Sequence, residues 1–230
     1  TDVALEKADI QLRFDNLELR PRLNVTAWPN RIRYRDDEDT ELAENIVRFR
    51  MYSNYPTFIE RAEVRIFEEE GSLRDEPLAV VPMDEGRAEW AADLEEYSAP
   101  AVKLRYLLRV YDEQGLFDET DALPLYLLDQ LSEKQQDAFD TATVEKELLV
   151  GYGENHLDLN NIPLTGGTVL VNGDNIPTGH SVWLAGRRVP VSADGRFVAE
   201  QIFDKGYHSV EVAVLDSEGN GDLYLRELQF

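Results

Sequence analysis

The residues best spaced for chemistry lie near the C-terminal end, in "DSEGNGDLYLRE" (216–227). Asp216, Glu218, Asn220 and Asp222 take its first, third, fifth and seventh positions, Gly221 the sixth and Glu227 the twelfth. An EF-hand calcium loop places its oxygen ligands and its tight turn at those positions. The flanks argue against that full site. "HSVEVAVL" (208–215) alternates as a strand does, whereas an EF-hand loop joins two helices. If "DLYLRELQF" is also a strand, each residue advances about 3.3 Å and Glu227 cannot fold back onto an ion held by Asp216. The sequence therefore predicts a hairpin whose turn holds calcium loosely through Asp216, Glu218, Asn220 and Asp222. No other cofactor is expected.

The remaining candidates are weaker. "DDEDTE" (36–41) and "FDETD" (117–121) are acidic loops that read first as solvated turns. His156, His180 and His208 are far apart, without the i,i+4 spacing of a helical zinc site, and read as surface or turn residues. There is no G-x-S-x-G elbow, and "TGGTVLVNG" (165–173) lacks the Lys-Ser/Thr of a phosphate loop. Carboxylates are too abundant to single out a glycosidase pair. No residue is assigned a catalytic role, and the chain is not expected to be an enzyme. Trp28, Trp90 and Trp183 lie in or beside apolar strands and read as core rather than as sugar platforms. "SNYPTF" (53–58) predicts a loop presenting Tyr55 and Phe58 to a partner. "NVT" (24–26) fits a glycosylation acceptor, though it falls inside a strand.

Composition bounds the classes. The 230 residues carry a formal net charge of -23, which repels nucleic-acid backbones and anionic lipid. With no cysteine, disulfides and thiolate metal sites are excluded. Apolar residues make up 43% of the chain, enough for real cores. No apolar run is long enough to span a bilayer as a helix. The chain starts at Thr1 without Met and stops at Phe230 after a strand-like run, so it reads as part of something longer.

Alternation positions these residues. "LNVTAW" (23–28), "NIVRFRMY" (45–52), "AEVRIF" (62–67), "KLRYLLRVY" (103–111) and "HSVEVAVL" (208–215) place apolar side chains at nearly every second position. Turn clusters such as "DEGR" (84–87), "DEQG" (112–115), "SADGR" (192–196) and "DSEGNGD" (216–222) separate them. One stretch, "SEKQQDAFDTATVEKELL" (132–149), reads as a short helix, with Ser132 and Gln135 as a capping box and Phe139, Val144 and Leu148 as a thin apolar stripe. A weak repeat relates "AVVPMDEGRAEW" and "LRYLLRVYDEQG" in the first half to "RRVPVSADGRFVAE" and "HSVEVAVLDSEG" in the second. The expected fold is all-β: two tandem immunoglobulin-like sandwiches, 1–130 and a smaller 161–230, joined by a helix and linker at 131–160.

Three stretches of the second half, "VNG" (171–173), "VPVSADGRF" (189–197) and "HSVEVAVLDSEGNGD" (208–222), resemble bacterial immunoglobulin-like modules of the glucodextranase-B-like type. "VRFRMYSNYPTFIERAEVRIF" (47–67), "LAVVP" (78–82), "LLRVYDEQGLFDET" (107–120) and "IPLTGGTV" (162–169) are similar to soluble modules of large Gram-negative cell-envelope proteins. The resemblance implies a periplasmic or cell-surface module without catalytic residues. Its work would be spacing, or binding other domains of its own protein or another envelope protein, without inserting into the membrane itself. A carbohydrate-binding accessory module is the first alternative and an enzyme fragment the second.

Overall fold

A computed structural model of the protein describes residues 2–5, 8–15, 18–28, 31–33, 46–91, 103–128, 148 and 151–230. Most of the helix expected at 132–149 and the acidic run 36–41 lie outside these residues; Leu148 is helical and buried, as is the start of a turn of helix at Gly151–Gly153. The rest is strand. In chain order these are β1 (Asp2–Leu5), β2 (Ala8–Asp15), β3 (Leu23–Trp28), β4 (Arg31–Arg33), β5 (Ile46–Ser53), β6 (Arg61–Glu68), β7 (Ala79–Met83), β8 (Arg87–Ala91) and β9 (Lys103–Tyr111). They continue as β10 (Phe117–Thr120), β11 (Leu123–Leu128), β12 (Leu157–Leu159), β13 (Gly167–Asp174), β14 (Ser181–Leu184), β15 (Arg187–Val189), β16 (Phe197–Phe203), β17 (Tyr207–Leu215) and β18 (Gly221–Gln229).

Two sandwiches form, each with its own core. In the first, the sheet β3-β5-β8 faces a sheet in which β6 and β7 pair, β9 joins β6, and β10 and β11 share the far edge of β9. Leu23, Val25, Val47, Phe49, Val64, Ile66, Leu104, Leu108 and Leu125 fill the space between. In the second, β1-β2-β13-β16 faces β15-β14-β17-β18 over Ile10, Leu12, Val169, Val171, Val182, Phe197, Val210, Val212 and Val214. Alternation dictates these layers: a strand half-covered by the opposite sheet needs apolar side chains only on every second residue.

The internal repeat is a repeat of topology. β7 pairs with β6 in one sheet, the chain crosses at "DEGR" to β8 beside β5, and β9 returns to lie beside β6. In the second half β15 pairs with β14, "SADGR" crosses to β16 beside β13, and β17 returns beside β14. Both halves are therefore immunoglobulin-like sandwiches of one plan.

The boundaries differ from a simple tandem. Residues 9–15 pair antiparallel with 168–174, so the N-terminal strand belongs to the second sandwich and not to a first domain starting at residue 1. At the other side β12 pairs with β10, and Ile162 and Leu164 pack on the first core, so the first sandwich reaches past the expected linker at 131–160. The first sandwich is thus an insertion between the first strands of the second and its remainder.

Candidate functional site

The structure brings together a joint between the two sandwiches, built on the segment that follows β5. Pro56 opens a 3-10 turn at Pro56–Phe58, its fixed φ suiting the first position and its missing N–H costing nothing there. That turn aims the preceding residues at the second sandwich. The Asn54 carbonyl accepts a hydrogen bond from Ile202 N at 2.6 Å, and the Ser53 carbonyl accepts one from Arg187 Nη1 at 3.3 Å. The Asn54 side chain holds the segment from behind, accepting from Arg22 N at 2.7 Å and donating to the Arg20 carbonyl at 2.9 Å. Ile202 itself, a β16 residue of the second sandwich, is fully buried in the first sandwich's core. Side chains alternate along β16, so Phe197, Ala199 and Phe203 point into their own sandwich and Ile202 points out of it, into its neighbour.

The helical turn at Gly151–Gly153 closes the same joint. Asn24 Nδ2 donates to the Gly151 carbonyl at 3.4 Å, and Tyr52 and Tyr152 meet edge-on with ring centroids 5.7 Å apart. Glycine is required at 151, because a Cβ there would overlap the Tyr52 ring. Burial raises the Tyr152 pKa, with Arg187 pulling the other way. A cleft remains here between Arg22, Asn24, Tyr52, Tyr152, Val198 and Glu200.

Beneath the joint sits a buried polar knot. Tyr55 is fully buried, and its hydroxyl donates to Asp118 Oδ2 at 2.8 Å. Asp118 is also fully buried, and its Oδ1 accepts from Asn161 N at 2.6 Å and Ile162 N at 2.8 Å. Burial, then the Asp118 charge, pushes the Tyr55 pKa far above its ordinary value. This corrects the expectation that Tyr55 and Phe58 form a partner-facing patch: Tyr55 is core, and Phe58 packs against the same core. The apparent exposure of "SNYPTF" came from its turn residues, whereas its aromatic rings anchor the turn.

The acidic stretch 117–121 is divided among three jobs rather than gathered for a cation. Asp118 points inward, Glu119 pairs with Arg109 at 2.9 Å, and Asp121 Oδ2 lies 3.3 Å from His156 Nδ1. His156 Nε2 is 2.9 Å from Glu154 Oε2, and its backbone links Leu23 to Asp121. Burial pulls the His156 pKa down, but its bonds to Glu154 and Asp121 and their charges outweigh that, so the pKa stands above the ordinary 6.5. A raised folded pKa adds stability that is fully present below the unfolded pKa and is lost as pH rises through the folded pKa. His156→Gln is therefore expected to lower the urea midpoint clearly at about pH 5.5 and much less at about pH 8.5. An equal deficit at both pH values would rule out the charged clamp.

At the hairpin 216–222 the side chains serve the turn. Asp216 Oδ1 accepts from Glu218 N and Asn220 N, both at 2.9 Å, and Asn220 Nδ2 lies 3.4 Å from Glu218 Oε2. Asp222 is already in β18, opposite Val214, and Glu227 is five residues further along that strand opposite Ser209. Asp112 closes its own turn identically, accepting from Gln114 N at 2.9 Å and Leu116 N at 2.8 Å. Gly115 and Gly219, with φ of 84° and 82°, supply the left-handed residue that both turns need. Among the described residues no group of three His, Asp or Glu side chains is placed to hold a metal ion. Because the turn is closed by its own hydrogen bonds, the same melting temperature is expected in excess calcium and in chelator. A calcium-dependent rise that disappears in Glu218→Gln would point to Asp216, Glu218, Asn220 and Asp222 as ligands.

Other expectations also meet their geometry here. Asn24 is buried with its amide turned to Gly151, which does not suit a glycan acceptor. Trp28 and Trp90 lie on the strands flanking β5, Trp183 lies in the other sandwich, and all three are half-buried. Among the described residues no helix is long and apolar enough to cross a membrane.

A scan against protein-family models finds none that matches, and a search of curated proteins finds no match. Among solved structures the chain is similar to the fibronectin(III)-like modules of Clostridium thermocellum CbhA, at 9% identity and a TM-score of 0.30, over 90% of this chain and 93% of that one. It is also similar to the CsuC-CsuE chaperone–tip adhesion subunit pre-assembly complex of archaic chaperone-usher Csu pili from Acinetobacter baumannii. That match has 12% identity and a TM-score of 0.26, over 88% of this chain and 97% of that one.

Proposed function

We propose that the chain is a non-catalytic module of a larger cell-envelope protein, on the periplasmic side or the cell surface, working as a rigid two-sandwich spacer that also carries protein contacts. The observation that carries this reading is the joint. Domains in one chain usually move against each other unless a large apolar contact locks them. Here Ile202 of one sandwich is fully buried in the core of the other, and Asn54 and Ser53 bond across the seam. A spacer needs that property, since it must transmit a fixed distance and orientation.

The test uses the absence of native cysteine, which leaves any introduced pair uniquely labelled. Spin labels at the exposed positions Arg74 and Glu218, one on each sandwich, report the separation by pulsed electron resonance. A single narrow distance is expected, broadening in Ile202→Ala. A broad distribution in the parent chain would remove the basis for the spacer reading.

A further inference from the structure

β18 ends its sheet: it pairs with β17 over nine residues, and among the described residues nothing pairs with its outer edge. Natural proteins normally protect such an edge with proline, a bulge or a short strand. β18 has none of these; its charges, Asp222, Arg226 and Glu227, are of both signs, and it presents Leu223 and Leu225, each 57% exposed. By comparison, β7 carries Pro82 and β15 has only three residues. β16, also terminal in its sheet, is partly covered because Ile202 N bonds to the first sandwich.

The strand is complementary to itself. Its N-terminal half reads Asp222-Leu223-Tyr224-Leu225-Arg226. In an antiparallel pair, directly opposite residues share a face of the sheet. A two-fold axis through Tyr224 sets Asp222 of each copy opposite Arg226 of the other and Leu223 opposite Leu225. The even-numbered residues lie on the inner face and the odd-numbered on the outer, so the ion pairs and the four-leucine cluster fall on separate faces. Shifting the centre to Leu225 would instead set Leu223 against Glu227 and Asp222 against Leu228. Asp222 supplies a second sign of a missing partner: its side chain is half-buried at the sheet edge, and among the described residues its Oδ2 has no hydrogen-bond partner. A carboxylate oxygen left unpaired there is costly, and a guanidinium, met by a rotation of the side chain toward the edge, is the group that best relieves it. Arg226 is exposed and has no ion-pair partner among the described residues, so it can supply that group to a neighbour.

We infer that this protein forms a two-fold symmetric dimer through β18, joining two four-stranded sheets into one eight-stranded sheet. Closed two-fold contacts are the commonest form of self-association. The contact is small, and each copy carries a net charge of -23, so the dimer is a weak one at ordinary ionic strength. This inference does not depend on the spacer reading, and a monomeric result would leave the joint untouched.

Sedimentation velocity over the micromolar to sub-millimolar range tests it on the whole chain. The parent chain is expected to shift reversibly from monomer to dimer. Arg226→Glu sets two carboxylates face to face, and Leu225→Lys puts charge into the leucine cluster; each should weaken association at least tenfold. Both side chains are exposed, so the fold is expected to survive, as circular dichroism will confirm. Asp222→Arg should likewise be monomeric alone. Mixed with Arg226→Glu it should restore a dimer, because both cross-strand pairs are then opposite in charge. A chain that stays monomeric throughout overturns the inference. So does a dimer indifferent to Arg226→Glu and Leu225→Lys, which would place self-association on another surface or another partner on this edge.

Discussion

Removing residues 1–15 is expected to unfold the second sandwich, although those residues stand at the opposite end of the sequence from it. β2 supplies Ile10 and Leu12, each 2% exposed, to the second core, and seven residues of β2 pair with β13. Cutting one such buried aliphatic side chain back to alanine costs about 2–5 kcal/mol. Losing both, with the strand's hydrogen bonds, reaches the whole stability of about 5–15 kcal/mol of an ordinary domain. The unpaired edge of β13 would then be open to other chains. Circular dichroism and calorimetry of the 16–230 chain should show lost strand signal, a weakened transition and aggregation. Adding a peptide of residues 1–15 should restore part of the signal, since the strand needs no covalent link to pair. Leu12→Asp should reproduce the loss in the full chain. A truncated chain that melts like the parent would refute this account of the fold.

The alternation that marks strands is local, and for that reason the strands were legible. Val, Ile and Phe at every second position of 45–52, 62–67, 103–111 and 208–215 appear in the structure as β5, β6, β9 and β17. Pairing is not local. "ADIQLRFD" carries the same period through Ile10, Leu12 and Phe14, yet nothing in it says that its partner lies more than 150 residues away. Proximity in sequence assigns it to the first sandwich, and hydrogen bonding assigns it to the second. The repeat, by contrast, could be read because the crossing turns "DEGR" and "SADGR" have to satisfy the same geometry. The calcium-like spacing of 216–222 has a similar origin. A five-residue turn opened by Asp, with Gly at its fourth position, places acidic and amide residues at short intervals, as the turns at Asp112 and Asp216 both show.

The joint was hidden for a different reason. Ile202 alternates out of phase with its own sandwich, and only the neighbouring sandwich explains an apolar residue there. In the same way, Pro and Asn in "SNYPTF" advertise a surface loop while Tyr55 is driven inward. Asp118 is harder still, because a carboxylate on the inward face of a strand contradicts the expected pattern. The register does carry a hint. Asp118 sits opposite Val110, and the burial of β10 alternates through Asp118 and Thr120. Thr120 Oγ1 accepts from Leu108 N at 3.0 Å, so both inward polar residues of this short strand are satisfied.

Asp118→Ala should accordingly be among the most damaging single substitutions in the first sandwich. It removes one acceptor group that serves three donors: it leaves the Tyr55 hydroxyl and the Ile162 amide buried without that partner, and it frees the part-buried amide of Asn161. Each buried donor left unsatisfied costs about 1–3 kcal/mol, so the loss of several together reaches a few kcal/mol. Tyr55→Phe removes a single bond to that charge and should cost about 1.5–3 kcal/mol. Asp118→Asn should be the mildest of the three. Its carbonyl can still take both backbone amides, and its NH2 can donate to the Tyr55 hydroxyl, which accepts as well as donates. The order Ala, Phe, Asn in decreasing damage, read from urea midpoints at unchanged slope, distinguishes a bonded knot from simple volume loss. Tyr55→Phe and Asp118→Ala combined should cost less than the two singles added, since each destroys the same contact. Strict additivity would show that Tyr55 and Asp118 stabilise the fold separately. The knot also ties residues 161–162, which lead into β13 of the second sandwich, to the first. Asp118→Ala should therefore broaden the label distance between the sandwiches as Ile202→Ala does, which connects a buried carboxylate to the rigidity that a spacer requires.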